Sequence, residues 1–204
     1  MRKIIFTVFF LLSLLDANSF EKDICTLKQV EDIKVTFEGY KTNFKAGVTA
    51  KFDKVKYKVG SNSAENVIEL LSGYSVEIDK NSVNAGNSLI TKSLLRYFFN
   101  KIDGDKISAE ILGLKPIYYK TKKGSLDLNI TMNGITKKVE MFYYKEGDFI
   151  YGEGEIDILD FNASKAFESI SKACYNKHLG KTWSDVGIDF MIKVESICKK
   201  RGIE

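Results

Sequence analysis

The stretch that decides the fold is residues 124–137, which read GSLDLNITMNGITK. Its first half alternates polar residues with four apolar ones, Leu126, Leu128, Ile130 and Met132. This two-residue period is typical of a β-strand with one buried face. Asn133-Gly134 follows, which is the strongest short signal for a tight hairpin turn, and alternation then resumes up to Tyr143. The stretch therefore predicts an antiparallel hairpin with one face turned towards the core.

The same alternation continues on both sides of this hairpin, at residues 33–37, 48–52, 55–57, 76–78, 107–111, 149–158 and 186–194. Three other segments have the period of an amphipathic helix: residues 63–71, with Ser63 as N-cap, residues 88–102 and residues 162–178. We expect seven or eight antiparallel strands with two or three helical insertions. Because the edges of so large a sheet must be covered or closed, the pattern predicts an all-β barrel or sandwich.

Composition sets the class of protein. The chain has 204 residues, of which 44% are hydrophobic and 28% charged, as expected for one folded domain with a sizeable core. The net charge of +4 is spread without a block of like charges, so we predict no nucleic-acid binding. A single histidine weakens most metal-enzyme and Ser-His-Asp interpretations.

The N-terminus has the form of a secretory signal peptide. Met1-Arg2-Lys3 is basic, residues 4–15 are almost entirely apolar, and small residues precede a cleavage point after Ser19. The apolar run is shorter than the roughly 20 residues that cross a bilayer. We therefore predict a signal peptide over residues 1–19 and a mature domain over residues 20–204, with no stable membrane insertion after cleavage. An uncleaved anchor is the alternative.

Three cysteines lie in the mature chain, Cys25, Cys174 and Cys198. An exported protein meets oxidising conditions, so one disulfide and one free thiol are plausible. If the first and last strands of a closed sheet are antiparallel neighbours, the start of one lies beside the end of the other. This arrangement favours a disulfide between Cys25 and Cys198, and a chain without any disulfide is the alternative.

Three stretches together resemble the YceI-like family of exported, lipocalin-like, polyisoprenoid-binding bacterial proteins. The hairpin of residues 124–137 is similar to that family's hairpin with a Gly-apolar-Thr-basic turn. Residues 83–102, with Phe98-Phe99, resemble its helix after the third strand. Leu159-Asp160-Phe161 and residues 183–188 are similar to its turn and last strand. The resemblance covers residues 30–198, with two departures: the first strand has no histidine, and Gly86-Asn87-Ser88 stands in place of an Asp-x-His.

The resemblance implies a lipocalin-like antiparallel β-barrel of about eight strands, with helices at Ser88–Ile102 and Asn162–His178 covering one side or end. It also implies a non-enzymatic, periplasmic protein that holds an isoprenoid or other long-chain lipid for storage or transport. A polyisoprenoid, a quinone and a fatty acid or amide all fit this class of ligand. The resemblance leaves a homodimer open.

Aromatic and flexible apolar side chains are the candidate ligand-binding residues, since the chain has 14 Phe and 10 Tyr. An eight-stranded barrel is wide enough to hold one apolar ligand, and aromatic and methionine walls suit a long apolar chain. The candidates are Phe37, Phe98, Phe99, Leu128, Ile130, Met141, Tyr143, Tyr151, Phe167, Phe190 and Ile192. The alternative is a structural or interaction domain with a packed barrel, and a cavity of roughly several hundred Å³ distinguishes the two.

Catalysis is the third interpretation. Cys174 and His178 lie four residues apart on a predicted helix and so share a face. A metal site needs at least three ligands, and the chain has no second histidine. A nucleophilic Cys-His pair is conceivable, but the inward positions of the predicted strands are nearly all apolar. The sequence therefore predicts no catalytic residue, metal or cofactor.

Overall fold

The computed structural model describes residues 24–117 and 122–199. The predicted signal peptide at residues 1–19 lies outside these ranges. Eleven strands are present in the described residues: β1 (Ile24–Gln29), β2 (Lys34–Lys41), β3 (Ala46–Phe52), β4 (Val55–Lys58), β5 (Ser75–Asp79), β6 (Val83–Asn84), β7 (Lys106–Pro116), β8 (Lys123–Met132), β9 (Ile135–Glu146), β10 (Phe149–Asp157) and β11 (Thr182–Lys199). The helices there are α1 (Val67–Leu71), α2 (Ser88–Tyr97) and α3 (Ser164–Cys174).

The strands form one antiparallel sheet in the order β4-β5-β7-β8-β9-β10-β11-β2-β3-β6, with β1 also paired to β11. Only Asp53 and Lys54 separate β3, which pairs with β2, from β4, which pairs with β5. These two strands are one bent strand that joins the two ends of the sheet. The Asp53 amide donates to the Ser82 carbonyl at 3.0 Å and braces the bend.

A second long strand is interrupted in the same way. Both β1 and β2 pair with β11, and residues 30–33 lie between them. Counting β1 with β2 and β3 with β4, the sheet has eight strands and the two-residue β6. The prediction of a lipocalin-like antiparallel barrel of about eight strands is therefore confirmed.

The predicted hairpin is confirmed at β8 and β9, where Met132 pairs with Ile135. Asn133 and Gly134 have φ values of 52° and 74°, so both central residues adopt the left-handed conformation of a type I′ turn. The Asn133 side chain also accepts from the Asp103 amide at 2.6 Å and donates to the Phe161 carbonyl at 2.9 Å. The turn therefore ties the hairpin to the segments that follow α2 and precede α3.

The helices cover one end of the barrel, as predicted, with α2 packed against α3. Each is followed by a 3₁₀ turn, at Phe99–Lys101 and Tyr175–His178, which accounts for the longer helical periods in the sequence. The predicted helix at 63–71 is shorter than expected. It begins at Val67 because Asn66, rather than Ser63, is its N-cap and accepts from the Glu69 amide at 3.0 Å.

The opposite end of the barrel is packed solid. Its inner face is filled by side chains that are almost fully buried, Leu126, Tyr143, Ile150 and Val194. Cys25 of β1 lies opposite Cys198 of β11 in the strand register, and the two are joined by a disulfide with a Cα–Cα distance of 4.0 Å. Both cysteines are exposed and lie beyond the buried Val194, so this bond fastens β1 to β11 just outside the packed end.

Candidate functional site

A cavity of about 320 Å³ lies inside the barrel beneath α2 and α3. Its wall is built from inward side chains of the strands and from the apolar faces of the two helices. Nine of the eleven predicted ligand-binding residues line it: Phe37, Phe98, Phe99, Leu128, Ile130, Met141, Phe167, Phe190 and Ile192. Its volume is at the lower end of the range for small-molecule sites, roughly 300–1,000 Å³.

Four phenylalanines form one side of this wall. The ring of Phe99 is 5.8 Å from that of Phe37, 5.7 Å from that of Phe52 and 5.1 Å from that of Phe98, each time edge to face. Rings prefer this edge-to-face geometry because the positive edge of one meets the negative face of the next. Phe99 is only 3% exposed and belongs to the core, whereas Phe98 is partly open to the cavity. The cluster makes this side of the wall rigid.

Two inward-facing glycines of β10 make room for another part of the wall. A β-carbon at Gly152 would overlap the ring of Phe190, and one at Gly154 would lie 2.6 Å from Cγ of Met141. The pairing of β10 with β11 runs through both positions without a shift in register. These glycines therefore leave space for two residues of the cavity wall.

Tyr143 and Tyr151, the other two candidates, do not line the cavity. Tyr143 points inward but is fully buried at the packed end, where its hydroxyl has no hydrogen-bond partner among the described residues. Tyr151 lies on the outer face, because Ile150 and Gly152 occupy the inward positions of β10. Its ring stacks on that of Tyr144 at 5.0 Å. The structure therefore places these two tyrosines outside the cavity lining.

The open end of the cavity, which we call the mouth, is polar and basic. It is lined by Lys41, Lys177, His178, Thr182 and Trp183. Lys41 is the last residue of β2 and pairs in register with Thr182, the first residue of β11. Nδ1 of His178 lies 2.8 Å from Oγ1 of Thr182, and the indole N–H of Trp183 donates to the Thr42 carbonyl at 2.8 Å. These contacts fix the groups that surround the entrance.

Sequence reasoning missed the mouth, although one signal was available. Val35, Phe37, Gly39 and Lys41 share the inward phase of β2, so the alternation that selects Phe37 also selects Lys41. Lys177 and His178 carry no comparable signal, because they lie in a 3₁₀ turn after α3.

Burial and charge both perturb the groups at the mouth. Burial lowers the pKa of the His178 imidazole below its ordinary value, and the charges of Lys41 and Lys177 lower it further. Burial raises the pKa of the free Cys174 thiol, which lines the cavity one helical turn before His178. A neutral thiol beside a largely neutral imidazole is a poor nucleophile.

Within residues 24–117 and 122–199, no helix has both the length and the hydropathy needed to span a bilayer. The same residues contain no group of three or more His, Cys, Asp or Glu side chains that could hold a metal ion.

The family model for the YceI-like domain matches residues 28–194 of the sequence. No curated protein matches it.

Solved structures with the same fold come from several bacteria. BcnA of Burkholderia cenocepacia is 16% identical, with a TM-score of 0.57 over 80% of this chain and 96% of its own. A polyisoprenoid-binding domain from Saccharophagus degradans, implicated in plant cell wall breakdown, is 14% identical, with a TM-score of 0.55 over 86% and 100%. The YceI protein of Campylobacter jejuni is also 14% identical, with a TM-score of 0.51 over 76% and 87%. At these identities the likeness shows a shared fold.

Proposed function

Because the chain belongs to the YceI-like family, we propose that it is a non-enzymatic carrier that holds a long apolar amphiphile inside its barrel for storage or transport. The observation that carries this proposal is the apolar cavity of about 320 Å³ beneath α2 and α3. A polyisoprenoid, a quinone tail or an acyl chain would be held by burial of its methylene groups, each contributing roughly 0.8 kcal/mol before ordering costs. A barrel packed throughout its length would offer no such site.

Export to the periplasm is part of the proposal. It is supported by the signal-peptide pattern at residues 1–19 and by the Cys25–Cys198 disulfide. Disulfides persist in oxidising compartments and are rare in the reducing cytosol. An exported carrier would move a poorly soluble lipid through the aqueous space between two membranes.

Filling the cavity tests the proposal. Gly39 lies on the inner face of β2 and lines the cavity, and a β-carbon there would meet no atom within 4 Å. Gly39→Leu therefore places an isobutyl group in the cavity without a backbone clash. We expect it to weaken binding of geranylgeraniol, a neutral C20 isoprenoid alcohol, at least about tenfold, since it removes room for several methylene groups.

Trp183 reports binding directly, because it is the single tryptophan of the chain and lines the mouth. The matched control is Gly113→Leu on β7, where a β-carbon also meets nothing within 4 Å but the residue does not line the cavity. The control should bind the alcohol as the unmodified protein does. Failure of the unmodified, delipidated protein to bind, or equal affinities for the two variants, would overturn the carrier proposal.

A further inference from the structure

We propose that the mouth of the cavity is a site for an anionic headgroup, so that the carried amphiphile bears a phosphate or carboxylate held by Lys41 and Lys177. This inference rests on the proposed function, because it names the headgroup of a ligand in the same cavity. A prenyl phosphate and a fatty acid share this chemistry. A neutral quinone, amide or alcohol does not.

The first support is the distribution of polarity along the wall. Away from the mouth the lining is almost entirely aliphatic and aromatic, whereas Lys41 and Lys177 stand together with His178 and Thr182 at the open end. Lys41 is half-buried and shares its face of β2 with Phe37. An apolar tail in the barrel would therefore place its polar end beside these groups. The site therefore matches an amphiphile, with an apolar interior for the tail and a basic mouth for the headgroup.

The second support is unbalanced charge. Among the described residues, neither Lys41 nor Lys177 is in an ion pair with a carboxylate. Asp189 is the one acidic residue on the described lining. It pairs with Glu153 in the strand register, so its carboxylate lies on the outer face of the barrel. Within the described part of the chain the two ammonium groups thus have no ion-pair partner, and a bound anion would supply one.

The charges of Lys41 and Lys177 both lower the pKa of His178. It is the only histidine of the chain, so its ring gives a single pair of assignable NMR signals. Lys41 faces it from β2, and Lys177 precedes it in the same turn. Cys174 lies on α3, and Thr182 bonds Nδ1 from β11. Because the two cations lower the pKa of His178, an anion that neutralises them should raise it.

The binding experiment compares ligands that differ only in the headgroup. Geranylgeraniol is paired with geranylgeranyl monophosphate, and hexadecanol with palmitate. We expect each anion to bind about tenfold more tightly than its alcohol, from roughly threefold for each partly exposed ammonium. The variant Lys41→Gln with Lys177→Gln should remove this difference between anion and alcohol. Added salt should reduce the preference, because it screens exposed charge.

The charge-matched control is Lys165→Gln with Lys172→Gln. Both of these lysines are exposed on α3 and lie outside the cavity lining. This control should retain the preference for anions. Tighter binding of the monophosphate would identify a prenyl phosphate as the better ligand, and tighter binding of palmitate would identify a fatty acid.

Titration of His178 gives an independent readout. Palmitate should raise the pKa of His178 and hexadecanol should not, and the double glutamine variant should raise it in the ligand-free protein. Since the pKa is higher in the complex, palmitate affinity should fall as pH rises through the pKa of the complex, over the range in which the palmitate carboxylate stays ionised.

The outcomes separate the two proposals. If alcohols bind but anions bind no more tightly, or the lysine variant binds anions normally, the headgroup site is overturned and the carrier stands. If no ligand of either kind binds, the carrier proposal itself fails.

A different observation carries a second inference: we infer that the rim of the mouth docks on an anionic lipid bilayer. The four most exposed large apolar side chains of the described residues are Phe44, at 91%, Leu179, at 74%, Leu89, at 69%, and Tyr175, at 62%. Contiguous exposed apolar residues of this kind mark interaction surfaces. All four belong to segments that surround the mouth.

Connections between these segments place the side chains on one end of the protein. Phe44 lies in the β2–β3 turn, where the Thr42 amide donates to the Lys181 carbonyl at 3.0 Å. The Gly180 amide in turn donates to the Tyr175 carbonyl at 2.9 Å. Leu89, at the start of α2, lines the cavity itself, so apolar surface runs from the rim into the barrel.

The basic residues of the rim indicate which kind of surface docks there. Lys177 and Lys181 stand among these apolar residues, and basic groups beside inserted apolar side chains favour bilayers that contain anionic lipid. A bilayer at this face would present lipid directly to the cavity entrance.

Vesicle flotation tests the docking surface. We expect the protein to float with vesicles of phosphatidylcholine and phosphatidylglycerol, and less with phosphatidylcholine alone. Phe44→Ser with Leu179→Ser should reduce the bound fraction at least about fivefold. The control is Leu112→Ser with Ile117→Ser, whose side chains are 51% and 48% exposed outside the rim, and should bind normally. Equal binding by the two double variants, or absence of binding by the unmodified protein, would overturn docking.

Discussion

Gly152 and Phe190 face each other across β10 and β11, and the cavity wall depends on the pair. Gly152→Ala would place a methyl group where the Phe190 ring lies, so the ring would have to turn into the cavity. We expect the free energy of unfolding to fall by about 1–3 kcal/mol, the usual cost of overpacking a core. Chemical denaturation measures this loss directly.

Two variants make the Gly152 prediction specific. Gly39→Ala adds the same methyl group to the same wall where no atom lies within 4 Å, and it should change stability by less than about 0.5 kcal/mol. Combining Gly152→Ala with Phe190→Leu should recover part of the loss, because the two positions are coupled by contact. Additive effects in this double-mutant cycle would show that the ring is not what Gly152 accommodates.

Individual residues show where sequence reasoning succeeds and where it stops. The inward orientation of Phe37 and Leu128 could be predicted, because a strict two-residue period assigns each to the inward face. The orientation of Tyr151 could not be predicted, because Phe149 and Tyr151 suggest one phase of β10 and Ile150 suggests the other. The inward positions next to Ile150 include two glycines, which have no hydropathy signal. Their role depends on Phe190 and Met141, which only tertiary pairing brings opposite them.

At the scale of elements, local chemistry predicted the β8–β9 hairpin and tertiary contacts decided the rest. Asn133-Gly134 specifies its turn through backbone conformation alone, so this element could be read from the sequence. The alternation shifts by one residue between Phe52 and Val55, which marks the break between β3 and β4, but the bond from Asp53 to Ser82 that braces it involves a distant segment and could not be predicted. The start of α1 could not be predicted either, because Ser63 and Asn66 are both good N-caps and the packing of Val67 selects the second.

The whole molecule divides into a packed end and an open end, and this division was not available from the sequence. The same inward alternation places Tyr143 in the packed end and Met141 in the cavity wall, only two residues away. The volume of the cavity depends on how α2 and α3 sit over the barrel, which no local pattern determines. The barrel fold itself could be predicted from the sequence, because it follows from the number of alternating strands.

The disulfide allows the two ends to be tested separately. It joins residues 173 positions apart, so its loss releases a long loop in the unfolded chain. We expect Cys25→Ser with Cys198→Ser to lower the free energy of unfolding by about 2–5 kcal/mol. Binding of geranylgeraniol to the folded variant should stay within about twofold, because neither cysteine lines the cavity beneath the helices. Denaturant unfolding and Trp183 fluorescence measure the two quantities on one sample.

Cys174→Ser provides the converse control, because this buried thiol lines the cavity and takes part in no disulfide. It should alter ligand binding more than the double serine variant does, since it places a hydroxyl beside the ligand, and it should leave the sensitivity of the protein to reductant unchanged. If loss of the Cys25–Cys198 bond weakened binding as strongly as it weakened folding, the packed end and the cavity would form one cooperative unit. The separation of roles between the two ends of the barrel would then be wrong.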